Sequence, residues 1–262
     1  MIDFHTHIFP EKIAGKTISF LAEISHTEPV LKADEPDLRR SVREAGLEAA
    51  VILPVVTKPS QFDSVNQFAS QFTEGELISF GGIHPDNENY KECLRKIKQY
   101  GLKGIKLHPD YQQTDFNDIR YKRIVDYASE LGLIISVHAG VDIGYPDPVH
   151  CTPKMSREVI DEVKPEKLIL AHLGGNNLWD EVEELLVGQN VMFDTAFCFG
   201  HIEDQQFLRI VEQHGADKIL FATDSPWASQ SEYADYLNRL SLSENDRELI
   251  ASGNAKKLLN LE

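Results

Sequence analysis

The sequence predicts an α/β chain folded as a single (β/α)8 TIM barrel, one domain over residues 1–262. Eight short apolar runs of strand length recur along it, each ending in polar residues and followed by a stretch of helical periodicity. Such alternation implies a parallel sheet with helical crossovers. Eight units in 262 residues match the size of this barrel. The first run lacks the glycine-rich turn of a dinucleotide-binding strand, which disfavours the open doubly wound sheet.

The first run, IDFHTHI, places Ile2, Phe4 and Thr6 on one face and Asp3, His5 and His7 on the other, by the two-residue period of a strand. Residues 9–47 follow as a long connection holding two helices. The runs EAAVILPV, LISFGGIHP, LKGIKLHP, LIISVHAG, KLILAHLGG, NVMFDTA and DKILFATDSPW supply the other strands. Between them, NYKECLRKIKQYG gathers Cys93, Leu94, Ile97 and Tyr100 on one face and stops at Gly101. NDIRYKRIVDYASELG offers Asn117 as N-cap, a buried stripe of Ile119, Ile124, Tyr127, Ala128 and Leu131, and Gly132 as terminator. WDEVEELLVGQ, IEDQQFLRIVEQHG and SEYADYLNRL read the same way. The loop of residues 139–152 is rich in Gly, Pro and Asp, as functional loops often are.

The formal net charge of −16 disfavours a nucleic-acid partner. No apolar run is long enough to span a membrane, and no signal peptide opens the chain. Cys93, Cys151 and Cys198 have no metal-type spacing and are odd in number, which points to a reducing, cytoplasmic setting rather than a disulfide framework. The expected partner is a small-molecule substrate, with a homo-oligomer compatible with the sequence.

In a barrel of this kind the C-terminal strand ends ring one mouth, where chemistry gathers. The runs end there in His5 and His7, His84, Lys106 and His108, His138, His172 and Asp224. Nitrogen and carboxylate donors without thiolates suit a divalent metal, zinc first, with manganese or iron as alternatives, one or two ions per chain. His84, His108, Asp142 and Trp227 are candidates for binding substrate, with Tyr145 within reach. Cys151 beside His150 reads as a packed or rim residue rather than a nucleophile, and His26, His201 and His214 carry no assigned role.

DFHTHI, IKLHP, SVHAG, LAHLGG and FATDSPW, in this order, resemble the amidohydrolase superfamily and most of all its amidohydrolase-2-type metal-dependent hydrolases. The closing SGNAKKLLNL is also similar, so the resemblance runs from residue 2 to about 261. It implies that His5, His7 and His138 bind metal and that Asp224 completes or adjoins the site. His172 would bind a second metal or act on substrate. Asp224 would then take a proton from metal-activated water, a sound role for a carboxylate beside a divalent ion. Lys106 would be either a carboxylated bridge between two metals or a free ammonium holding a substrate anion. The expected reaction is hydrolysis of an amide, lactone or ester, with catalytic roles for Asp224, His172 and Lys106. The alternative is non-oxidative decarboxylation of an aromatic or unsaturated acid. A TatD-type phosphodiesterase is disfavoured by the acidic surface and by the lack of a fourth-strand glutamate.

Overall fold

The computed structural model describes residues 1–261. Its strands are β1 (Ile2–Thr6), β2 (Ala49–Ile52), β3 (Leu77–Ser79), β4 (Gly81–Gly82), β5 (Gly104–Leu107), β6 (Ile134–Val137), β7 (Leu168–Leu170), β8 (Met192–Asp194) and β9 (Ile219–Leu220). β3 and β4 are separated only by Phe80 and form one stave, so the barrel has the eight staves expected. All paired strands are parallel, in two ladders, β1-β2-β3 and β4 through β9 in order. Single backbone bonds close the ring between the ends of the chain. Phe4 N–H donates to Phe221 O at 2.9 Å, Asp224 N–H to His5 O at 2.9 Å and His7 N–H to Ser225 O at 2.7 Å.

The strands read as continuous apolar runs because both faces are covered. Ile2, Phe4, Val51, Phe80, Ile134, Ile169 and Leu220 fill the barrel interior. The opposite faces pack beneath the helices, with Ala50, Ile52, Ile105, Ile135, Leu170 and Phe193 in that outer layer. The helices are α1 (Glu11–Ser25), α2 (Glu35–Glu44), α3 (Phe62–Ala69), α4 (Tyr90–Gln99), α5 (Ile119–Glu130), α6 (Pro153–Val163), α7 (Trp179–Leu185), α8 (Asp204–His214), α9 (Gln230–Arg239), α10 (Glu244–Glu248) and α11 (Asn254–Leu259). α5 departs from expectation at its start. Asp118, not Asn117, is the N-cap, its Oδ1 accepting from Arg120 N–H at 2.8 Å. Ile119, expected in the buried stripe, is 70% exposed.

A second departure lies in β1. Asp3 pairs with Ala50 but Thr6 with Ile52, so three steps along β1 match two along β2. This bulge places one extra residue on the strand and resets its alternation. Ile2 and Phe4 face the barrel interior, where Phe4 meets Phe80 edge-on at 5.8 Å. Asp3 turns outward to Thr223 Oγ1 and Gln230 Nε2. His5 and His7 nevertheless reach the inner face, so Asp3 does not share their side as the simple period implied.

Candidate metal centre

Three side chains from the two ends of the chain converge at the barrel mouth. His5 Nε2 lies 3.1 Å from His7 Nε2, and Asp224 Oδ1 lies 3.3 Å and 3.1 Å from the two nitrogens. The hydrogen-bond partners of the far nitrogens fix the tautomers. His5 Nδ1–H donates to Asp194 Oδ2 at 3.0 Å, and His7 Nδ1–H donates to Leu53 O at 2.8 Å. Both Nε2 atoms therefore present lone pairs to each other and to a carboxylate oxygen. Three acceptors this close need a cation between them, and His/His/Asp donors are what a divalent first-row ion takes. Burial first, then Lys106, holds His5 well below the ordinary imidazole range, so it is neutral. Asp224 carries its charge in this setting, its carboxyl lying far below the usual range although burial by itself would raise it. Neutral imidazoles and an ionised carboxylate are the protonation states that ligation requires.

The backbone around these groups is unusual. Asp224 has φ +68°, and His172 and Leu173 have φ +56° and +54°. Residues other than glycine seldom sit in this left-handed region, and such positions gather at functional sites. Asp224 N–H donates to His5 O, tying the carboxylate directly to the strand that carries both histidines.

Lys106, on β5, is fully buried, with Nζ 3.1 Å from His5 Nε2. Burial lowers its pKa to about 8, while Asp194 and Asp224 act to keep it charged. His172 sits behind this centre. Its Nδ1–H donates to Ala196 O at 2.8 Å, leaving Nε2 to accept from His138 Nδ1–H at 2.9 Å. His138 thus stands with His172 rather than with the first trio, and its Nε2 faces Asp110 and Asp142. His108 is stacked between Tyr111, at 3.8 Å, and His138, at 4.1 Å. Burial first, then Asp110, raises Asp142 to about 7.

A cavity of about 730 Å³ opens onto these groups. Its lining includes His5, His7, Lys106 and Asp224 on the floor, with His84, His108, Asp142 and Trp227 around them. Ile18 and Leu21 of α1 form an apolar wall. His172 opens onto a smaller adjoining pocket. Cys151 is buried against Ser156 Oγ at 3.4 Å, while His150 turns to Asp115 at 2.7 Å, so the two form no nucleophilic pair. All three cysteines are free and buried. Sequence reasoning missed Asp194 and Asp110. Asp194 Oδ2 holds His5, and its Oδ1 accepts from His172 N–H at 2.9 Å. The signal was present, since Asp194 follows the apolar stretch VMF in NVMFDTA just as Asp224 follows DKILFAT.

Barrel, mouth and donor set define a metal-dependent enzyme of the amidohydrolase class. The amidohydrolase family profile matches residues 2–261, and the chain belongs to that family. A gamma-resorcylate decarboxylase from Polaromonas sp. (strain JS666 / ATCC BAA-500) is 28% identical over 135 residues, covering 45% of this chain and 41% of that protein. A second, from Rhizobium sp. (strain MTP-10005), is 26% identical over 131 residues, 44% of this chain and 40% of the relative. The match thus spans less than half the length of these relatives. Among solved structures, the manganese-containing 5-carboxyvanillate decarboxylase from Novosphingobium aromaticivorans DSM 12444 superposes with a TM-score of 0.78 at 13% identity, over 99% of this chain and 96% of the other. Among the described residues, no helix is long and apolar enough to cross a membrane.

Proposed function

We propose that this protein is a metal-dependent, non-oxidative decarboxylase of a hydroxylated aromatic acid. The observation that carries the reading is the sequence likeness to gamma-resorcylate decarboxylases. It favours this reaction over the hydrolysis expected from the motifs. A metal centre with a neighbouring carboxylate serves either reaction, so the motifs could not separate them.

His5, His7 and Asp224 would hold the ion, manganese ahead of zinc given the manganese in a similar fold. A bound divalent cation would supply charge that draws in and neutralises substrate oxygen anions. Lys106 acts as an ammonium toward the substrate carboxylate. The fields of Asp194 and Asp224 favour a cation at that position over a carbamate, which would add a third negative charge. The apolar wall of α1 and Trp227 suit a flat ring.

The reaction replaces a carboxylate by a proton. Asp224, ionised at rest, takes the proton of a ring hydroxyl as the substrate seats. It then delivers that proton to the ring carbon bearing the carboxylate. The bond from that carbon to the carboxylate breaks, its electron pair returns to the ring, and carbon dioxide leaves. A hydroxyl ortho to the carboxylate feeds electron density to the protonated carbon. His172 is the weaker proton carrier because its Nε2 already accepts from His138.

The test is to incubate the manganese-loaded protein with 2,6-dihydroxybenzoate and measure carbon dioxide and the phenolic product together. Equal amounts of both are expected, and none from Asp224→Asn. Turnover of a lactone panel without carbon dioxide from any hydroxybenzoate would return the protein to the hydrolases.

A further inference from the structure

The geometry points to a substrate that carries an apolar chain opposite its carboxylate, held at the cavity mouth between Phe20 of α1 and Tyr145. This rests on the decarboxylase reading for the orientation of the ring. Lys106 faces the carboxylate and Asp224 an ortho hydroxyl, and both side chains line the cavity floor. The ring carbon para to the carboxylate then points away from the floor, toward the opening. A group attached there is the part of the substrate that the mouth meets.

Two walls run from the floor to the mouth. One is α1, where Ile18 is 6% exposed, Leu21 is half-buried and Phe20 is 55% exposed, and all three line the cavity. Of the fifteen residues of α1 only Ala14 and Ile18 are buried, so the apolar face turned to the cavity is largely uncovered. The other wall is an aromatic stack. His108 lies 4.1 Å from His138 and 3.8 Å from Tyr111, ring to ring, and Tyr111 meets Tyr145 edge-on at 5.5 Å. Tyr145 ends this series 41% exposed, so it too stands at the mouth. The loop that carries it abuts α1: a Cβ on Gly144 would lie 3.4 Å from Ile24 Cδ1.

Among the described residues, the exposed large apolar side chains are Ile13, Phe20, Val30, Ile119, Ile143 and Tyr145. Phe20 and Tyr145 line the main cavity and Ile143 the smaller one beside it, so three of these six gather at one opening. Scattered singly they would need no explanation, but grouped at a mouth they mark a binding surface. The volume agrees. The cavity of about 730 Å³ falls in the range of about 300–1,000 Å³ that takes drug-sized ligands, more than one ring with three small substituents fills. On the polar edge, Arg120 Nη1–H donates to Asp86 Oδ1 at 2.6 Å. These two charges satisfy each other, so that edge calls for no charged substituent. An alkyl chain covers Phe20 and Leu21 and leaves the ring seated on the floor.

The experiment has a binding arm and a turnover arm, both on the manganese-loaded whole chain. Binding is read by calorimetric titration with resorcinol, its 5-methyl and 5-propyl derivatives, and 3,5-dihydroxybenzoate as the charged comparison. Turnover is read as carbon dioxide from 2,6-dihydroxybenzoate and its 4-methyl and 4-propyl derivatives. Affinity should rise about three- to fourfold for each carbon added, the worth of a buried methylene, with kcat/KM following. Phe20→Ser should cut the propyl-to-parent ratio by about fivefold. A misfolded fraction lowers both members of that ratio alike, and Tyr145→Ser gives the same reading from the other wall. Affinity that does not rise with the chain, tighter binding of 3,5-dihydroxybenzoate than of the propyl compound, or a ratio unchanged in both variants overturns the subsite. Sedimentation of Phe20→Ser adds one more such outcome: loss of a wild-type dimer with the ratio unchanged would give Phe20 to a second copy of the chain. Affinity that rises with the chain while no acid yields carbon dioxide keeps the subsite and overturns the decarboxylase reading. Carbon dioxide released with equal kcat/KM from all three acids does the reverse.

Discussion

His214, at the end of α8, shows what one buried imidazole does to stability. Gly188 N–H donates to its Nδ1 at 3.1 Å, and its Nε2–H donates to Val191 O at 2.9 Å. Its ring stacks on Phe193 at 4.1 Å. Both nitrogens are satisfied only in the neutral form, and burial lowers the pKa from 6.5 to about 4. As pH falls from 6.5 toward 4, the unfolded chain takes up a proton that the folded protein refuses. The stability present above pH 6.5 is therefore lost on the way down, by about 3 kcal/mol at this position. Urea unfolding at several pH values should show His214→Gln losing less stability than wild type across that window, though starting from a lower value. Asp194 is the comparable residue in the site. It fixes the tautomer of His5 without facing the ion. Asp194→Asn should weaken manganese binding about 10–100-fold, as loss of a carboxylate behind a metal-bound histidine does, read by calorimetric titration. Unchanged affinity would show that Leu53 O and Asp224 suffice to orient the pair.

At the scale of the element, the loop from β6 to α6 depends on Gly140. That residue has φ +84°, and a Cβ there would lie 2.1 Å from Asn176 N and 2.4 Å from Gly175 C. Val141 N–H donates to Asn176 O at 2.9 Å, so this contact seats the strand end from which Asp142 reaches the cavity. Gly188 has nearly the same φ, +83°, with nothing near its would-be Cβ. Gly188→Ala should cost about 1–2 kcal/mol, the left-handed strain alone. Gly140→Ala adds a backbone clash and should cost roughly 2–4 kcal/mol. Thermal melts of the two variants side by side measure the difference, and equal losses would mean that the loop yields freely. The same scale shows where the sequence was readable. Strand existence and order followed from apolar runs and helical stripes, because burial on both faces writes itself into composition. The bulge in β1 was not readable, since neither Phe4 nor His5 is a residue that signals one. The α5 N-cap was missed by one position because Asn117 and Asp118 are both good caps. Strand ends named the histidines of the site, but ring tautomers and partners decide where each lone pair points, and these depend on backbone groups such as Leu53 O and Ala196 O. Hence His138 could be placed at the mouth from the sequence, whereas its alignment with Asp110 and Asp142 could not.

For the whole molecule, the candidate metal centre coincides with the seam of the barrel. His5 and His7 lie on the first strand, and Asp224 follows the last. Between them the regular ladders stop, and the ring is joined by single backbone bonds such as Phe4 N–H to Phe221 O and His7 N–H to Ser225 O. A closed barrel with one weakly laddered joint should open there first. An ion gripped from both sides binds the folded ring and not the unfolded chain, so it stabilises by mass action. At a free ion concentration of 100 Kd that amounts to about 2.7 kcal/mol, or a rise in Tm of roughly 5 °C for a chain this long. Calorimetric scans with added manganese should show that rise, and excess chelator should abolish it. Asp224→Asn should remove most of the response by taking away the ligand on the far side of the seam. Hydrogen exchange gives the local reading: the amides of His7 and Asp224 should slow on metal binding more than those of β6 and β7, which lie deep in the continuous ladder. Uniform slowing across all strands would mean that the ring already opens only as a whole, and that the seam is no weaker than the ladders it joins.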